Sequence, residues 1–259
     1  MRHALIGVLG LAWGWGAPAL AQPCHEVAPA AAQEPSVDLG VALETATYRT
    51  PRYEGDYQAL SLFAQGTHAR GHVRLALPVY RLVRNGLEGR GLGDVALDAG
   101  VRLAQAAEGA LATGLALAVT LPSGDASQEL GMGHVMVMPG AWLDWRGARA
   151  RVHARLAYGR ALGGGAHLRG RPQPLVNPMN ASEVEGSLGG AVQLTQEVGL
   201  KGGAYGALPV ALPEGAARAA TFAGLELRWR QVTLGFEGHL PLAGAPFQLK
   251  AVARLSLRF

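Results

Sequence analysis

The chain has 259 residues, with 23 Lys and Arg against 19 Asp and Glu and a single cysteine. At 49% apolar and 16% charged residues it is too apolar for a disordered chain, and one cysteine excludes a disulfide framework or a multi-cysteine zinc site. The net charge of +4 comes without a basic run, and only Lys201 and Lys250 are lysines, so no nucleic-acid partner is expected.

The N-terminus reads as an export signal. Met1-Arg2-His3 is a short positive region, Ala4 to Gly16 is apolar, and Ala19-Leu20-Ala21 fits the small-x-small cleavage rule. Residues 1–21 are therefore expected to be a signal peptide and 22–36, rich in Ala and Pro, a flexible periplasmic lead-in. The apolar stretch is shorter than the ~20 residues of a spanning helix. Residues 37–259 form the body of the protein.

That body alternates apolar and small or polar residues with period two. Leu111, Thr113, Leu115, Leu117, Val119 and Leu121 alternate with Ala112, Gly114, Ala116, Ala118 and Thr120. Twelve such segments are predicted, at 37–48, 56–66, 71–80, 94–104, 110–121, 134–146, 149–160, 183–194, 197–208, 219–230, 232–240 and 247–259. Each is close to the ~9–11 residues with which a tilted strand crosses a bilayer. The connections are expected to alternate strictly in length. Gly66 to Arg70, Gln105 to Gly109, Gly147-Ala148, Thr195-Gln196 and the corner at Gln231 are short. Arg49 to Gly55, Arg81 to Gly93, Pro122 to Gly133, Ala161 to Ser182, Pro209 to Arg218 and Pro241 to Pro246 are longer.

Short turns at one end and long loops at the other predict an all-β fold: a closed antiparallel up-and-down transmembrane barrel in a bacterial outer membrane. Closure leaves no strand edge unpaired in lipid. The partners expected are outer-membrane lipid and lipopolysaccharide, a small-molecule solute, and the barrel assembly machinery. The last is expected to read the C-terminal pattern Leu255-x-Leu257-x-Phe259. Trp145, Trp229 and Phe259 fall at the periplasmic ends of their segments, where a girdle belongs.

Between the fourth and sixth segments lies a series of motifs. Gly91-Leu92-Gly93-Asp94-Val95 opens the fourth, Leu121-Pro122-Ser123-Gly124-Asp125 ends the fifth, and Leu130-Gly131-Met132-Gly133 leads into the sixth, which contains Pro139-Gly140. The series resembles the outer-membrane transporter family of the "MetA-pathway of phenol degradation" type, with Ser123 where that family usually has Thr. The resemblance covers about 91–140. It implies an outer-membrane channel, often associated with uptake of small aromatic compounds, and no catalytic residues. Read from the residues alone, Gly91, Gly93, Asp94, Pro122, Gly124 and Asp125 form turns at the extracellular rim.

Catalysis is not expected. Ser187 lacks the glycine two residues before it that a nucleophile elbow requires, and His134, His153 and His239 stand isolated. No cofactor is expected either. Met132, His134, Met136 and Met138 lie two apart and share one face, and thioether plus imidazole suits Cu(I). Cys24-His25 lies in the lead-in. The alternative is that the methionines fill gaps in the packing.

Inward charges sort by height on this topology. Arg74, Arg102, Arg149, Arg151, Lys201, Arg228, Arg230, Arg254 and Arg258 fall in the periplasmic half, with Asp38 and Asp144 as exceptions. Asp144 is expected to pair with Arg149 across the Gly147-Ala148 turn. Glu44, Asp94, Glu183 and Glu185 fall near the outer end, and Asp98, Glu226 and Glu237 midway. If this separation sets a field, the lumen prefers anions, which suits small acidic solutes; the alternative is lateral pairing that cancels it. The expected function is passive uptake of small molecules. The alternatives are a non-conducting structural or interaction barrel, with a lumen plugged by residues 161–182, and a copper-related outer-membrane protein.

Overall fold

A computed structural model describes residues 35–49, 54–106, 110–163, 180–210 and 217–259. The predicted signal peptide, most of the lead-in and the centre of the 161–182 segment lie outside the described residues.

Thirteen strands follow one another along the chain: β1 (Ser36–Arg49), β2 (Glu54–His68), β3 (Gly71–Arg84), β4 (Leu87–Leu92), β5 (Val95–Ala106), β6 (Leu111–Leu121), β7 (Val135–Arg146), β8 (Ala150–Leu162), β9 (Ser182–Gln193), β10 (Val198–Pro209), β11 (Arg218–Trp229), β12 (Val232–Ala243) and β13 (Phe247–Arg258). Each strand from β5 to β12 pairs antiparallel with its successor, β13 returns to β1, β1 pairs with β2, and β2 with β3. The ring closes through β3 and β5, because Gly71 to Ala76 pair with Val101 to Ala96. The upper part of β3 pairs instead with β4, from Val79↔Leu92 to Arg84↔Leu87. β4 and β5 are thus one stave broken at Gly93-Asp94, and the barrel has twelve staves.

The alternation explains the fold. Leu115, Leu117, Leu143, Leu156, Leu200, Leu249 and Leu255 point outward and are exposed, while Ala112, Ala116, Ala118 and the charged residues turn inward. The apolar exterior suits lipid, while the backbone groups are satisfied strand to strand around the closed ring. Trp145, Trp229 and Phe259 are outward and exposed at the end that carries the short turns.

Two expectations about the connections are corrected. The segment Arg81 to Gly93 is not a loop, because β3 runs on to Arg84 and turns at Asn85-Gly86 into β4. Both turn residues have positive φ, 48° and 81°, the backbone of the hairpin turn that Asn-Gly favours. The alternation in connection length is also not strict. β12 extends to Ala243 and β13 begins at Phe247, so the last outer connection is only residues 244–246, and the first is residues 50–53.

Candidate functional site

The inward face of the barrel is built in three layers. At the short-turn end, Arg258 Nε and Nη2 donate to the two oxygens of Asp38, at 2.8 and 3.0 Å, across the β1–β13 seam. Asp144 accepts from Arg151 at 2.6 Å and from Arg146 at 3.1 Å. Arg228 pairs with Glu226 at 2.6 Å. Arg102 donates to the carbonyl of Ala69 in the β2–β3 turn.

The middle layer crosses the lumen. Asp98 on β5 accepts from Arg155 on β8 and pairs with His72 on β3, each at 2.8 Å. The first of these pairs spans two intervening strands, over a face of β6 that carries only Ala112, Gly114, Ala116 and Ala118 below Thr120. Glu237 on β12 accepts from Lys201 at 2.6 Å and Arg254 at 3.3 Å, with His239 at 3.2 Å. Arg74 sits 4.5 Å over the Phe63 ring. Lys250 lies over the rings of Tyr205 and Phe247, at 5.9 and 5.2 Å, and is 2% exposed.

The outer layer is aromatic. Tyr48, Tyr57, Tyr80, Tyr205 and Phe247, with Phe222 packed against them, form one buried cluster contributed by β1, β2, β3, β10, β11 and β13. Tyr57 donates to Glu44 and Tyr48 to the carbonyl of Val83. Leu130, from the β6–β7 connection, joins this cluster and is 0% exposed. The connection is therefore folded into the mouth of the barrel as a lid.

The motif residues hold that lid. Asp94, in the break between β4 and β5, accepts from the backbone N–H of Gly124 at 3.0 Å and of Met132 at 2.6 Å. Ser123 Oγ donates to the Gly93 carbonyl at 2.9 Å and accepts from Val95 N–H at 2.8 Å. Asp125 caps the 3-10 turn Ala126–Gln128. The carboxylate approaches so closely that a Cβ on Gly131 would lie 2.3 Å from Asp94 Oδ1, which explains the glycine. Burial pushes the Asp94 carboxyl above its ordinary pKa, against the pull of the Met132 and Gly124 amides. The exposed Asp125 carboxyl is held below the usual range by the Ser127 hydroxyl and then the Gln128 amide.

The motif residues that the sequence singled out are thus brought together. Of the inward cations, Arg74, Arg151 and Arg254 are buried, and Arg102, Arg228 and Arg258 are partly buried on the inner face. Two are corrected. Arg149 is exposed in the β7–β8 turn, and Asp144 pairs with Arg151 and Arg146 rather than with it. Arg230 is exposed at the β11–β12 corner with φ 54°, which turns it out of the lumen and over the Trp229 ring, 5.5 Å away.

Sequence reasoning passed over Arg155 and Arg218, and read Leu130 only as the start of a turn motif. Arg155 follows Arg151 by the same parity that places Arg151 inside. Arg218, paired with Glu183 and Glu185 at 2.8 and 3.0 Å, sits one residue before the predicted strand boundary. Leu130 is an isolated large apolar residue in a turn-rich stretch, and that was its only signal. Among the described residues no serine hydroxyl bonds to a histidine ring.

No family model matches the chain, and no curated protein matches it either. Among solved structures it is similar to the translocator domain of the autotransporter NalP from Neisseria meningitidis, with TM-score 0.53 and 12% identity over 88% of each chain. It is more loosely similar to the outer-membrane channel DcaP of Acinetobacter baumannii, with TM-score 0.41 and 8% identity over 90% of this chain and 97% of that one. The fold is that of the bacterial outer-membrane barrels, which supports an outer-membrane location.

Proposed function

We propose that this protein is an outer-membrane channel for small molecules, closed in this conformation by the β6–β7 lid. The observation that carries the reading is the lid itself. A barrel that serves only as a membrane-embedded scaffold has no need of a loop whose leucine is buried in its mouth and whose backbone is held by a buried carboxylate. The Gly91 to Gly140 series, with its resemblance to the "MetA-pathway of phenol degradation" type of transporter, supports the same reading. Residues 1–21 deliver the chain to the periplasm, Phe259 presents it to the assembly machinery, and lipid with lipopolysaccharide covers the leucine face. The protein carries out no reaction of its own.

The solutes are small aromatic or acidic compounds. Tyrosine and phenylalanine rings form the outer layer, and Lys250, Lys201, Arg254 and Arg74 lie inside the same lumen. Rings favour flat apolar solutes, and cations attract a carboxylate. Because most lumen cations pair with carboxylates, the charge separation along the axis is weak and the anion preference is correspondingly small. Proteoliposomes should admit benzoate faster than an uncharged sugar of similar size, and the reversal potential in a salt gradient should favour anions. Arg228→Glu with Arg254→Glu should abolish that preference. Cation selectivity in the wild type would contradict it.

A second reading, a non-conducting structural or interaction barrel, is favoured by one observation. His239 and Glu183 are 0% exposed, so side chains fill the lumen at several heights. Absence of any solute flux in both the wild type and lid variants would establish that reading instead.

A further inference from the structure

The described part of the lumen holds one cluster that neither the lid nor a solute path requires. Three of the five methionines in the sequence fall within seven residues, at 132, 136 and 138. All three are buried in one cluster with Ala118 and Ala161, and Met136 and Met138 are 0% exposed. The neighbouring strands make room for them. On β6, Thr120 and Ala118 stand opposite Met136 and Met138, and on β8 Ala161 stands opposite Met136. Gly159 is kept small, since a Cβ there would lie 3.1 Å from Met138 Cε.

His134 lies between these methionines on the same inward parity, 4% exposed. Its ring is within reach of the Met132 backbone but makes no well-aligned hydrogen bond, and the buried hydroxyl of Thr120 has no partner. Packing alone accounts for thioethers in a gap. It does not account for a buried imidazole with a ring nitrogen left over for a ligand, because such a group loses water without full compensation.

We propose that Met132, His134, Met136 and Met138 form a binding site for a soft monovalent cation, Cu(I) or Ag(I), at the outer end of the lumen. Thioether sulfur and neutral imidazole nitrogen are soft and borderline donors that favour such ions over Mg(II), Ca(II) or Zn(II). No carboxylate belongs to the set, in keeping with a low-charge ion. The lid contributes Met132 and His134 and β7 contributes Met136 and Met138, so the ion bridges the lid to the wall. Asp94 is a positioning residue for the site, holding the Met132 backbone at 2.6 Å. Binding is separable from transport, because a site that holds Ag(I) tightly need not conduct any solute.

The test uses the mature chain in detergent with Cys24→Ser, so that the thiolate cannot take the ion, and with Ag(I) in chloride-free buffer as the probe. One Ag(I) should bind per chain by calorimetric titration, and Zn(II) should not compete. Met136→Leu with Met138→Leu nearly conserves volume, so the barrel should fold, as judged by heat-modifiable mobility. That variant should bind at least tenfold more weakly, and His134→Phe should lose affinity as well. X-ray absorption at the silver edge of the unsubstituted cluster should show sulfur neighbours, a readout that needs no variant. No binding by the wild type, equal binding by the leucine variant, Zn(II) binding as tight as Ag(I), or an absorption spectrum without sulfur would each overturn the proposal.

Discussion

At the scale of single residues, the proposed closure of the barrel turns most on Asp94. Its two oxygens accept two backbone amides from the lid, whose other polar ties to the staves run through Ser123 and through Glu129, paired with Arg84 at 2.8 Å. Hydrogen bonds to a charged acceptor contribute roughly 1.5–3 kcal/mol each. Water recovers part of that when the acceptor is removed. Asp94→Ala should therefore favour the open lid by about 10- to 100-fold. Amide exchange at Gly124 and Met132 should accelerate by that factor while β6 amides keep theirs.

The pH dependence follows from the same carboxyl. Its pKa in the closed state is raised by burial, so a proton-linked increment to closure, additional to the two amide bonds, is fully present below the ordinary carboxylate range and is lost as pH rises through the raised value. Corrected amide protection in the lid should fall from mildly acid pH towards neutral, and Asp94→Asn should flatten the profile. A profile that rises with pH would contradict this assignment.

At the scale of elements, the barrel wall and the outer hairpin should separate energetically. The β3–β4 arm hangs on the Asn85-Gly86 turn, where any side chain at the second position meets a left-handed backbone. Gly86→Val should cost about 1–2 kcal/mol locally and fray β4, which pairs only with β3, as seen in faster amide exchange there, while β3 above Val79 stays paired with β2. The unfolding midpoint of the barrel should barely move. In the wall, Leu117 lies at the middle of β6 and faces lipid. Leu117→Arg should lower the unfolding free energy by about 2–4 kcal/mol in bilayers.

The wall was readable because lipid on one side and packed side chains on the other impose a period of two that no turn interrupts. The hairpin was not, because Arg81 to Gly93 is rich in charge and glycine and only the Asn-Gly pair marks its turn. The corner at Arg230 was missed for a related reason. Parity carries a side chain inward only while the backbone stays extended, and a φ of 54° ends that rule one residue after Trp229.

At the scale of the whole molecule, alternation makes the barrel and a short list of inward residues, but it does not say which of them meet. The pairs Asp98–Arg155 and Lys201–Glu237 skip over intervening strands, and the small residues between them are what allow it. Sequence order gives no hint of such pairs, because their partners are 57 and 36 residues apart. The motif glycines and Asp94 were legible as turn formers. Their shared purpose, seating Leu130 among tyrosines from β1, β2, β3 and β10, required the closed ring.

The central claim is that a lid closes a channel, and single-channel recording in a planar bilayer tests it most directly. The wild type should be closed for most of the record, with brief openings of uniform size. Asp94→Ala and Leu130→Ala should raise the open fraction about tenfold or more, since the second loses some 2–4 kcal/mol of buried contact with the aromatic cluster. Opening size should not change, because neither residue lines the middle of the lumen. Silence at every voltage in all three folded proteins, or a wild type that is open throughout, would contradict the account.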